Sequence, residues 1–152
     1  MTYTTAEART GMLEDIAGAV DRLAGALAGL EVAYELLEQN NQDRLEEQLF
    51  HPVQRAYGRL QRTYTEFGAH TGIATRAFSP GSPGMHAHSA REPIERAVDA
   101  ARETDEMLAE LQDSLMPVEV GDPELRAGLA DVRSTLAAVP GRAHELIRVL
   151  GR

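Results

Sequence analysis

The sequence contains no cysteine, no lysine and no tryptophan. Without cysteine there can be no disulfide, thiolate nucleophile, cysteine-ligated zinc or iron–sulfur cluster. Without lysine there is no Schiff-base residue, no phosphate-loop lysine and no lysine general base. All 15 basic residues are therefore arginine, through GC-rich coding bias or through a need for planar, bidentate cations. Aromatic residues make up only 5%. The core must come from Leu, Val, Ile and Ala, which suits closely packed helices better than a thick mixed sheet. Apolar runs approaching the roughly 18 residues that span a bilayer are missing too, and the stretch from Ile16 to Leu30 is broken by Asp21 and Arg22. Met1 to Asp15 holds no basic region followed by an apolar run, so no secretory signal and no membrane partner are expected, and the expected compartment is the cytoplasm. The net charge of −9 repels a phosphate backbone, so no nucleic-acid partner is expected.

What is present is periodicity. The 152 residues are 43% apolar and 26% charged, the composition of one folded domain expected over residues 1–152. Leu13, Ile16, Val20, Leu23, Leu27, Leu30, Tyr34 and Leu37 follow steps of three and four. Leu125, Leu129, Val132, Leu136, Val139, Ala143, Leu146 and Leu150 do the same near the other end. That spacing keeps each set on one stripe of an α-helix.

Helices are expected at about 5–39, 43–68, 90–116 and 123–150, with a loop over 69–89. Thr4 with Glu7, Asp43 with Glu46, and Ser89 with Glu92 each have the spacing of a capping box. Asp122-Pro123 has the order of an N-cap followed by proline in the first turn. Pro52 falls inside the second pattern and should kink that helix or start it afresh. The fourth stripe keeps its phase through Pro140-Gly141, which predicts one kinked helix there. The loop carries Ser79-Pro80-Gly81-Ser82-Pro83-Gly84, with Ile73, Phe78 and Met85 placed to tack it onto the surface. Each stripe covers about 25 residues, roughly 37 Å of helix. Matched rods predict an all-α, antiparallel up-and-down four-helix bundle with a long connection between helices 2 and 3. That connection is long enough to allow a crossover as well.

No constellation carries an evident reaction. The sequence has no Gly-x-Ser-x-Gly elbow and no phosphate loop. It also has no Glu-x-x-His pair of the kind a di-iron bundle needs. His86 and His88 could present two imidazoles to one divalent cation from an extended strand, with Glu92 or His70 as a third ligand. Beyond such a metal, no cofactor is expected. Arg55, Arg59 and Arg62 line one face of the second helix. The third helix carries Glu95, Asp99, Glu103, Glu106, Glu110 and Asp113, which the arginine stripe could answer across a groove between those helices. In the first helix, small residues widen the apolar face beyond what one side of a bundle needs. Gly11, Gly18 and Gly25 recur there every seven residues, with Val32 next in register. The expectation is a non-enzymatic interaction module acting as a homodimer through Gly11, Gly18, Gly25 and Val32, with the arginine stripe as a second contact surface. The alternative is a small-ligand or metal-binding bundle that uses the loop from residue 70 to 88.

Overall fold

The computed structural model describes residues 4–79, 81 and 86–151, and among these every regular element is helical. The order is α1 (Thr5–Glu35), α2 (Gln39–Leu45), a π-helical turn (Glu46–Phe50), α3 (His51–Thr71), α4 (Arg91–Asp113), α5 (Met116–Glu119), α6 (Pro123–Ala137) and α7 (Val139–Leu150). No helix among the described residues is long and apolar enough to cross a membrane.

Local chemistry sets the boundaries. The Thr4 hydroxyl accepts from the Glu7 N–H at 3.1 Å and the Glu7 carboxylate accepts from the Thr4 N–H at 3.4 Å, which starts α1. The Asp122 carboxylate accepts from the Leu125 N–H at 2.7 Å and starts α6. The other two expected capping boxes do not form. Asp43 lies inside α2, and α4 is entered through Ala90 without a side-chain cap. α1 ends at Glu35, four residues before the expected stop at Gln39. There the Gln42 amide donates to the Tyr34 carbonyl at 2.9 Å, satisfying a helix-end acceptor from the next element.

Pro52 neither breaks nor restarts its helix. The π turn directly before it widens the backbone, so that the His51 N–H reaches the Glu46 carbonyl five residues back. The wider turn gives room to a ring that would clash with the preceding turn of a regular helix. The expected helix over 123–150 divides at Ala138, whose backbone stays right-handed at φ −83° and ψ −15°. Leu136, Val139, Ala143 and Leu146 are all buried across this break, so the stripe keeps its phase through a kink.

Neighbouring side chains fix the directions. Gly18 meets Met107, Arg22 pairs with Glu103, and Gly29 lies against Pro93 and Ala97, so α1 and α4 run antiparallel. Glu31 and Glu35 share a cleft with Phe50, while Leu13 and Ala17 share another with Tyr64, so α1 and α3 are also antiparallel. Arg59 pairs with Asp131 and His70 with Asp122, which makes α3 and α6 antiparallel. Arg133 of α6 donates to Asp105 at 2.8 Å, while Asp99 lies beside Ala143 and His144 of α7.

Both α3 and α4 therefore oppose α1, and they run parallel to each other. Each packs on α1 and on the α6–α7 rod, which leaves α3 and α4 across a diagonal. This corrects the expected up-and-down order, in which successive helices would alternate. The connection from Thr71 to Arg91 must travel the length of the molecule. Its described residues lie as a strap along α1. Ile73–Arg76 lie by Thr10–Gly18, Gly81 lies on Ala24 and Ala28, and His86 and Ala87 reach Glu31–Leu36. Gly72 turns the chain out of α3 at φ 72°, a left-handed position that glycine takes at little cost.

The strap is fastened by specific contacts. The Arg76 N–H donates to the Tyr64 hydroxyl at 2.9 Å, and the Arg76 guanidinium pairs with Asp21 at 2.5 Å. The same guanidinium stands 4.6 Å from the centre of the Phe78 ring. That ring meets Tyr64 edge to face, with centroids 5.1 Å apart. A Cβ at Gly81 would stand only 2.7 Å from the Ala24 carbonyl oxygen, so this crossing requires glycine. Pro80, Ser82, Pro83, Gly84 and Met85 lie outside the described residues, including the expected tacking role of Met85.

Candidate functional site

A cleft of about 630 Å³ opens where α1 ends and the strap arrives. Its apolar surface comes from Val32, Leu36, Phe50 and Ala87. Leu36 is 44% exposed, unusual for a leucine beside a core. Glu31 and Glu35, one helical turn apart on α1, and Glu46 from the π turn supply the charge. Tyr34 and His86 complete the polar lining. The early end of α1 creates this space: the chain turns at Leu36 and returns through the π turn, which carries Glu46 and Phe50 back beside Glu31 and Glu35.

Four acids are answered by arginine from another element. Asp21 pairs with Arg76, Glu103 with Arg22, Asp105 with Arg133 and Asp131 with Arg59. Glu31, Glu35 and Glu46 have no ion-pair partner among the described residues. Like charges one turn apart destabilise each other unless they are screened or answered.

A second cleft of about 540 Å³ lies at the opposite end of α1, among Glu14, Asp15, Met12, Met107, Glu110 and Met116. Burial against its wall raises the Asp15 carboxyl above its usual value, and the adjacent Glu14 charge raises it further. A group whose folded pKa is raised favours the fold when protonated. That contribution is fully present below the unfolded value of 3.8 and is lost as pH rises through the folded one. Asp15→Asn is permanently neutral, so it should melt above the parent protein at neutral pH. The gain should fade as pH falls through the raised folded value and be gone below the ordinary 3.8, a comparison that thermal melts at neutral pH and at about pH 3 make directly.

The residues singled out from sequence scatter. His86 lines the end cleft, whereas His88 is exposed at the approach to α4. Glu92 accepts from Arg96 at 2.6 Å. Among the described residues no three His, Asp or Glu side chains come together as a metal-holding group. Gly11 borders the second cleft, Gly18 faces Met107, and Gly25 is exposed with nothing within 4 Å of a Cβ. Val32 lines the end cleft. The glycine that does bring α1 close to another helix is Gly29, where a Cβ would stand 3.2 Å from the Pro93 carbonyl oxygen. Arg59 bonds Asp131 at 3.1 Å, while Arg55 and Arg62 are exposed and make no ion pair among the described residues. The arginine stripe cannot answer the acids of α4, because α3 and α4 sit on opposite corners.

The wide apolar face of α1 finds its cover within the chain. Ala24 and Ala28, on its outer side, are only 5% and 6% exposed, with Gly81 of the strap seated on them. Sequence reading missed Glu31, Glu35, Leu36, Glu46 and Phe50 as site residues. The available signal was Leu36, an apolar residue just off the repeat, which with Leu37 stands between Glu35 and Glu38. Comparison with known protein families, curated proteins and solved structures finds no match to this chain.

Proposed function

We propose that this chain is a non-enzymatic binding protein whose receptor is the cleft at the end of α1. Its scaffold, in this reading, is an antiparallel-packed four-helix bundle with one crossover: α1 and the α6–α7 rod run one way, and α3 and α4 the other. The cleft itself is the observation that supports the reading. It falls within the size range of small-molecule sites, and it joins apolar surface to a few convergent polar groups. Of the two expectations drawn from sequence, this favours the small-ligand bundle over the homodimer. The dimer rested on apolar width in α1 that the strap covers. The loop contributes to the site through His86 rather than as a metal clamp.

The neutral dye Nile red tests this reading. It should brighten on binding the parent protein. Leu36→Asp places a charge on the exposed apolar wall and should weaken binding about tenfold. It should leave the melting curve nearly unchanged, because the side chain is already half in solvent. Dye binding that is indifferent to Leu36→Asp would remove the cleft from the account.

A further inference from the structure

We infer that the occupant of the end cleft is a lipophilic organic cation: an ammonium or guanidinium group on an apolar body of drug-like size. This rests on the cleft being a binding site and adds the charge of what binds. Three features of the cleft carry it.

The first is unanswered charge. Glu31, Glu35 and Glu46 border one cavity from two elements, and none forms an ion pair among the described residues. Between its elements this chain answers four acids with arginine, at Arg22–Glu103, Arg59–Asp131, Arg76–Asp21 and Arg133–Asp105. No arginine lines the end cleft. A bound cation supplies the missing counter-charge and relieves the repulsion between Glu31 and Glu35.

The second is the apolar wall. A hydrated inorganic cation gains nothing from Val32, Leu36, Phe50 and Ala87. An organic cation buries its body against them while its head stays among the carboxylates. Phe50 and Tyr34 also line the cleft, and aromatic rings attract cations.

The third is sign. Anionic and neutral ligands of the same shape meet the same apolar wall but not the same field. An anion faces three carboxylates within a chain of net charge −9. Exposed ion pairs are individually weak, so discrimination must come from the three acting together.

A matched series tests this: 4-phenylbutylamine, 4-phenylbutanol and 4-phenylbutyrate, which share one apolar body and carry positive, neutral and negative heads. Each is titrated into the intact protein and followed by backbone amide shifts. The amine should bind about tenfold more tightly than the alcohol, and the butyrate more weakly than either. The shifts should centre on Glu31–Leu36, Glu46 and Phe50. In the triple variant Glu31→Gln, Glu35→Gln, Glu46→Gln, the amine should fall to the alcohol's affinity while alcohol binding persists. Added salt should shrink the preference in the parent protein only.

Equal binding of amine and alcohol to the parent overturns the charge inference and leaves the cleft as a neutral apolar site. A preference that survives the triple substitution, or shifts centred on Glu14 and Asp15, overturns it as well. Failure of all three compounds to move cleft resonances overturns the binding-site reading itself.

Discussion

Replacing Gly128 with alanine is expected to destabilise the protein by about 1–3 kcal/mol, whereas the same change at Gly25 should stabilise it by up to about 1 kcal/mol. Both glycines sit inside helices, where alanine restricts the unfolded chain and is the better helix former. Propensity alone therefore gives both changes the same sign. Packing separates them. Gly25 is exposed on α1, and a Cβ there would find nothing within 4 Å. At Gly128 a Cβ would collide with Oγ1 of Thr63, with Cγ2 and Cβ of the same side chain close behind.

Thr63 has nowhere to go. It is 3% exposed, and its hydroxyl donates to the Arg59 carbonyl at 2.9 Å. Relief would require α3 and α6 to move apart, opening contacts along the interface that Arg59–Asp131 and His70–Asp122 flank. Thr63→Ala should rescue Gly128→Ala, since it removes the colliding atoms, and the double variant should be more stable than the sum of the single changes. Urea unfolding measures all four proteins. In a chain of this length each kcal/mol corresponds to roughly 2–4 °C in melting temperature. Stabilisation by Gly128→Ala would mean that α3 and α6 do not approach at this crossing.

The burial pattern was legible in the sequence to a large degree. Leu45, Leu49, Val53, Ala56, Leu60, Tyr64 and Phe67 recur at helical spacing, and all are buried in one rod. Helical periodicity reports which face of a rod is apolar, and that is local information. It breaks down where the helix itself ends. Leu115 continues the stripe of α4 on paper, yet it lies past the last turn, at φ 64° and 55% exposed. The weak turn in that stripe was open to Thr104 or Asp105. Thr104 takes it, because its hydroxyl can return a bond to the Ala100 carbonyl at 2.8 Å, whereas Asp105 turns outward to Arg133.

Neighbour choice was not legible. Nothing in an apolar stripe says which other stripe covers it, and the connection over 69–89 was long enough to return beside α3 or to cross. Two features decide it physically: Gly81, which fits onto the Ala24 carbonyl, and Arg76, which ties the strap to Asp21 and Tyr64. Each is a single residue in a segment without periodicity. The end cleft was hidden for the same reason. It exists because α1 stops at Glu35 and the chain returns beside it, where the Gln42 amide donates to the Tyr34 carbonyl.

The distance between the end of α3 and the start of α4 is the second large expected effect. α3 has 21 residues and α4 has 23, so each rod is about 31–35 Å long. With both running the same way, His70 and Arg91 lie at opposite ends of the molecule. In an up-and-down order they would lie at the same end on adjacent rods, whose axes would be roughly 8–10 Å apart. Both side chains are more than half exposed, at 55% and 68%. The sequence has no cysteine, so His70→Cys with Arg91→Cys carries two spin labels and no others. Pulsed electron–electron double resonance should give a single distance of about 30 Å or more. A distribution centred below about 20 Å would contradict the crossover, and with it the strap on α1 and the cleft that the strap helps to close.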